Sequence, residues 1–152
     1  KDEGIIEIAN YNSPTQFIIS GEKKLLEKAG ELLKQRGARR IIPLAVSGAF
    51  HSPLMSDAQQ EMEKVLSKIQ FSSPKVDFYA NVVGGKVDNP DQIRKNLVLQ
   101  LTHPVKWMDI VNSMIRDGFK NFVEIGPGKV LQGLISKISK DVEVSGWQDY
   151  ID

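Results

Sequence analysis

The chain has 152 residues, 41% of them hydrophobic and 26% charged, enough for one ordinary globular core and one or two small domains. Twenty Lys plus Arg against nineteen Asp plus Glu leave a formal net charge of +1, so no overall field draws the protein to nucleic acid or to an anionic membrane. Cysteine is absent, which excludes a disulfide framework, a thiolate nucleophile and a thiolate metal site and fits a reducing, cytoplasmic setting.

No apolar stretch approaches the ~18 residues of a membrane span, and Lys1-Asp2-Glu3-Gly4 lacks the plan of a signal peptide. With Lys first and a strand pattern beginning almost at once, the expectation is a chain that starts inside a larger protein. Gly4 to Asn12 (GIIEIANYN) is rich in isoleucine and meets the turn signal Ser13-Pro14. Gln16 to Ser20 (QFIIS) follows, so two neighbouring strands are expected. Leu25, Leu26, Ala29, Leu32 and Leu33 recur at helical spacing, with Ser20 as N-cap, Glu22 in the first turn and Gly37 as the stop. Arg39 to Val46 (RRIIPLAV) reads as a returning strand in which Pro43 withholds one backbone donor and favours an edge.

Ser52-Pro53 combines a good N-cap with proline at the first helical position and opens a helix through Met55, Ala58, Met62, Val65, Leu66 and Ile69. Asp77 to Val83 reads as a strand closed by Gly84-Gly85. Asn89-Pro90-Asp91 caps a helix carrying Ile93, Leu97 and Leu101 as far as the break at Pro104. A further helix is expected from about Val105 to Asp117, stopped by Gly118. Asn121 to Ile125 is a strand pattern, Gly126-Pro127-Gly128 a sharp turn, and Val130, Leu131, Leu134, Ile135 and Ile138 the stripe of a final helix. Past Asp141 no pattern is strong. The alternation predicts an α/β architecture with a largely parallel sheet after residue 45, whereas the first 44 residues look like part of a small open-faced α+β unit.

The two histidines, His51 and His103, are far apart and neither has a second ligand at metal spacing, so no metal site is expected. His51 follows the small residues Ser47, Gly48 and Ala49 and precedes a capped helix, the strand-to-helix junction where open α/β sheets place their sites. His103, between Thr102 and Pro104, has no such setting and reads as structural. A histidine base needs a nucleophile, yet no G-x-S-x-G elbow occurs; Ser52 is accounted for as the helix cap and Ser47 lies in no elbow. Gly126-Pro127-Gly128-Lys129 fails the phosphate-loop pattern, since Val130 stands where Ser or Thr is needed, and it reads as a structural turn rather than a nucleotide site. Lys34, Arg36, Arg39 and Arg40 form a small basic cluster, either a solvated face or a seat for an acidic carrier protein.

Four segments together carry a resemblance. ANYNSPTQFIISG (Ala9 to Gly21), PLAVSGAFHSPLM (Pro43 to Met55), LVLQLTHPVKW (Leu97 to Trp107) and EIGPGKVLQGL (Glu124 to Leu134) resemble, in order and spacing, signatures of malonyl-CoA:acyl carrier protein transacylases and the related acyltransferase domains of fatty-acid and polyketide synthases. The resemblance implies transfer of a malonyl group from malonyl-CoA to the phosphopantetheine thiol of acyl carrier protein through a serine acyl-enzyme. It makes His51 the base that activates the serine and the acid that protonates the leaving thiol. It places at Gln100 a backbone carbonyl that orients His51, puts Asn10 and Asn12 near the cleft, and sets Phe50 where malonyl-selective members carry a bulky ring. No cofactor is implied, since malonyl-CoA and phosphopantetheine are substrates.

In fold terms the resemblance implies that residues 1–44 belong to a ferredoxin-like small subdomain. Residues 45–152 become the C-terminal part of an α/β-hydrolase-like large subdomain. The serine elbow, the oxyanion loop and the malonate-binding arginine of such enzymes have no counterpart here, so the chain alone is expected to be inactive and to need the missing N-terminal half. The alternative is a non-catalytic module that binds a carrier protein or acts as a scaffold.

Overall fold

The computed structural model describes residues 4–151, so the Lys1-Asp2-Glu3 stretch remarked on above lies outside them. Strands β1 (Ile6–Ser13) and β2 (Gln16–Gly21) form the expected hairpin, antiparallel and closed where Ser13 pairs with Gln16. The register slips at Ala9 and again at Asn12, leaving each without a partner in β2. The first slip turns the β1 backbone toward a later part of the chain. The carbonyl of Ala9 accepts from Val105 N–H at 2.8 Å, and Tyr11 N–H donates to Val105 at 2.9 Å. The result is a parallel bridge between Asn10 and Val105 across the boundary expected near residue 44.

Helix α1 (Lys23–Gln35) begins later than the sequence pattern placed it. Glu22, not Ser20, is its N-cap, because Ser20 pairs with Glu7 inside the hairpin and Gly21 ends β2 with an unusual positive φ. The strand expected over Arg39 to Val46 does not form. Among the described residues it finds no ladder partner, and a lone extended segment has nowhere to place its backbone hydrogen bonds except water. Gly37, with φ +93, ends the helix as expected.

Ser52 opens a single 3-10 turn (Pro53–Met55) that runs into α2 (Ser56–Leu66). The strand expected over Asp77 to Val83 shrinks to β3 (Tyr79–Ala80), paired antiparallel with β4 (Gly85–Lys86), because the chain reverses at Gly84 in a left-handed conformation. Helix α3 (Pro90–Leu99) is capped as expected: the Asn89 side chain accepts from Gln92 N–H at 3.0 Å and Pro90 occupies the first turn. Ala80, Val87 and Ile93 bury a small cluster between that hairpin and α3, flanked by Phe71 and Leu97.

Helix α4 (Trp107–Arg116) is the hub, packing on β1, on β4 and on α5 (Val130–Ile138), with Ile110 and Val111 buried. Tyr79 donates to Asp117 just past the end of α4, which pushes the phenol up to about 12 and ties the β3 hairpin to this hub. Strand β5 (Asn121–Glu124) pairs with β6 (Glu143–Gly146), a strand the weak pattern past Asp141 concealed. This is the one parallel pair of strands among the described residues, so the largely parallel sheet expected after residue 45 is reduced to two strands. The chain is a mixed α/β structure. No described helix is long and apolar enough to cross a membrane.

Candidate active site

His51 stands in a turn rather than at the end of a strand. Its φ is +61, the only positive value among described residues other than glycine. For a residue with a Cβ the left-handed conformation costs about 1–2 kcal/mol, so surrounding contacts must hold it.

The long-range contacts among them come from the end of α3. The last carbonyls of a helix lack intrahelical donors and carry the negative end of its dipole. Two of the carbonyls that follow α3 receive His51: the backbone N–H donates to Leu101 at 3.1 Å, and ring Nδ1 lies 2.7 Å from the Gln100 carbonyl oxygen. A carbonyl oxygen can only accept, so Nδ1 carries a proton, and of the two neutral tautomers the contact selects the one that keeps the lone pair on Nε2. The tautomer is thus set by main chain, and among the described residues no carboxylate hydrogen-bonds to the ring.

Ser52 is fully buried. Its hydroxyl donates to the Ala49 carbonyl at 2.7 Å and accepts from Leu54 N–H at 3.4 Å, so it does cap the turn that follows, but it also binds backward. Phe50 is 44% exposed. Its ring lies over Gly48, where an added Cβ would meet it at 3.4 Å and the Met55 sulfur at 3.6 Å.

The side chain of Gln100 accepts from the Asn81 amide at 3.4 Å, and the Asn81 carbonyl accepts from Lys106 N–H at 3.1 Å. Asn81 thus braces the segment between α3 and α4 that supplies the acceptors for His51. No local pattern marks it in the sequence, because its partners lie 19 and 25 residues further along. Asn10 and Asn12 are half-buried in the slipped part of β1, which joins the same segment through Val105, and among the described residues no hydrogen bond links either to His51. His103 is exposed, with Nδ1 at 3.0 Å from both the Leu99 carbonyl and the Thr102 hydroxyl.

The glycine turn at Gly126 to Lys129 leads into α5, but the N–H groups of Leu131 and Gln132 already donate to the two Glu124 carboxylate oxygens at 3.0 and 3.2 Å. The Leu131 bond, foremost, holds that carboxyl below the usual carboxylate range. An anion already occupies the helix start, so the turn serves structure. Among the described residues no cluster of His, Asp or Glu is placed to hold a metal ion. Lys34, Arg36, Arg39 and Arg40 are all exposed around the end of α1.

The chain as a whole is similar to known proteins. Residues 2–147 match the model of the acyl transferase domain family. A malonyl CoA-acyl carrier protein transacylase of Staphylococcus aureus is 41% identical over 152 residues, which is 99% of this chain and 49% of that protein. The crystal structure of an acyl carrier protein S-malonyltransferase from Vibrio cholerae superposes with a TM-score of 0.92 at 37% identity, over 95% of this chain and 47% of the other. A malonyl-transacylase solved in complex with its type II PKS acyl-carrier protein gives a TM-score of 0.89 at 38% identity, over 95% of this chain and 46% of the other. The chain therefore spans about half the length of its relatives. By the extent of the family match, the chain belongs to the acyl transferase domain family.

Proposed function

We propose that this chain supplies the histidine half of a malonyl-CoA:acyl carrier protein transacylase, acting in fatty-acid biosynthesis in the cytoplasm. The serine nucleophile comes from an N-terminal half outside these 152 residues. The observation that carries the proposal is the 2.7 Å contact from His51 Nδ1 to the Gln100 carbonyl, which selects the neutral tautomer with Nε2 available as a base.

In the first half-reaction Nε2 takes the serine proton as the serine oxygen bonds to the malonyl thioester carbon. The bond to sulfur breaks, and the coenzyme A thiolate leaves with the proton from Nε2. In the second, Nε2 takes the proton of the phosphopantetheine thiol, the sulfur attacks the serine ester, and the serine leaves reprotonated. The net change moves malonyl from one thiol to another, and protons balance without a cofactor. Phe50 lines the acyl side and favours malonyl over branched groups, and Asn10 and Asn12 shape the cleft. Residues 1–44 belong to a ferredoxin-like subdomain and residues 45–152 to the C-terminal part of an α/β-hydrolase-like one.

The test is His51→Ala in the intact protein. Loss of base catalysis should lower acyl transfer about 100-fold or more, and near-normal turnover would remove His51 from its role. A carrier-protein docking or scaffold role is the second reading, favoured by the exposed cluster of Lys34, Arg36, Arg39 and Arg40. Binding of acidic carrier protein that is unaffected by His51→Ala, in a protein with no transferase activity, would support it.

A further inference from the structure

We propose that Ser52 is a positioning residue for His51, its hydroxyl closing the turn that keeps the histidine backbone left-handed. This rests on the assignment of His51 as the base. A helix cap needs only an acceptor at the serine oxygen, and the capping contact to Leu54 N–H is long, at 3.4 Å. The bond donated to the Ala49 carbonyl is the shorter, at 2.7 Å, and contributes nothing to the cap. It spans Phe50 and His51, so the catalytic side chain sits in a loop whose ends the hydroxyl joins.

Three hydrogen bonds hold His51 where it is. Two run from His51 itself to the Leu101 and Gln100 carbonyls, and both exist only once the backbone is already turned the right way. The third, from Ser52 to Ala49, is local and turns the backbone. Among the described residues no other side chain bonds to the backbone of residues 49–51, and Ser52 is fully buried, so water does not substitute for it. Without that bond only the two contacts to the segment after α3 hold the His51 φ positive, and the backbone returns more readily to negative values. Its Cα–Cβ bond then swings, and Nδ1 leaves the Gln100 carbonyl. Small misplacements of this kind are expensive in rate even when the fold survives.

Threonine and valine have nearly the same shape and differ in the hydroxyl, so the test compares Ser52→Thr with Ser52→Val in the intact protein. 15N NMR of the His51 ring should show the Nδ1-protonated neutral tautomer in wild type and Ser52→Thr, and a mixture in Ser52→Val. The kcat of Ser52→Val should fall about tenfold or more below that of Ser52→Thr, with KM for malonyl-CoA within about twofold. In a His51→Ala background the difference between Thr and Val should vanish. If Ser52→Val does not fold, the smaller Ser52→Ala takes its place with the same expected loss of tautomer. Equal kcat and an unchanged tautomer in the variant lacking the hydroxyl would overturn the proposal, as would an undiminished Thr–Val difference without His51. Because the ring signal is read independently of turnover, failure of His51 as a base and failure of Ser52 as its positioner are separable.

Discussion

The hub at α4 and the arm from α1 to Val46 both carry several apolar side chains and meet opposite fates. In α4, which packs on β1, β4 and α5, Ile110 and Val111 are buried. In α1 no residue is buried; Leu32 and Leu33 are exposed, and so are Ile41, Ile42, Leu44 and Val46 on the segment that follows. An amphipathic stripe records that a face is meant to be covered, not what covers it. With the chain spanning about half the length of its relatives, the arm is the region expected to owe its environment to sequence outside these residues.

The strongest way to sharpen that contrast is Ile110→Ala, which removes the centre of the hub and should cost about 2–5 kcal/mol in denaturant unfolding of the intact protein. Leu33→Ala tests the arm. If its face is covered in the intact protein, the cost approaches about 2 kcal/mol; a cost under about 0.5 kcal/mol would mean that the face is open to water and would break the comparison.

Smaller effects are expected at the edges of the hub. Gln100→Ala keeps the backbone carbonyl that receives His51 and loses only the Asn81 contact, so kcat should fall less than about tenfold, far short of the loss from His51→Ala. Glu124→Gln should give the smallest change, read as Tm against pH. The Glu124 carboxyl has a folded value below its unfolded one, so its contribution is complete above the unfolded value and is lost as pH falls through the folded value. Wild type should therefore exceed Glu124→Gln at neutral pH, and the two should converge as pH falls through the folded value, below the ordinary carboxylate range.

Helix α4 and the cap of α3 were legible in the sequence because their causes are local, whereas the α1 cap, expected at Ser20, lies at Glu22. Asn89-Pro90 announces α3, and Ser13-Pro14 announces the hairpin turn. Strands depend on partners far along the chain, and there the pattern failed both ways: Arg39 to Val46 has strand composition and no ladder, while β6 has weak composition and pairs with β5. Of the candidate site, His51 stood out by its small neighbours and the capped turn after it. Its left-handed backbone, and the second bond made by Ser52, could not be read there, since nothing in the letters distinguishes a serine that caps forward from one that also binds backward.

The central claim, that His51 serves a serine lying outside these residues, is tested most directly by where malonyl becomes attached. The intact protein, incubated with labelled malonyl-CoA without carrier protein, quenched and digested, should yield label on one serine peptide outside the 152 residues. His51→Ala should yield far less label on the same peptide. Malonyl found covalently on any serine of this chain would contradict the account.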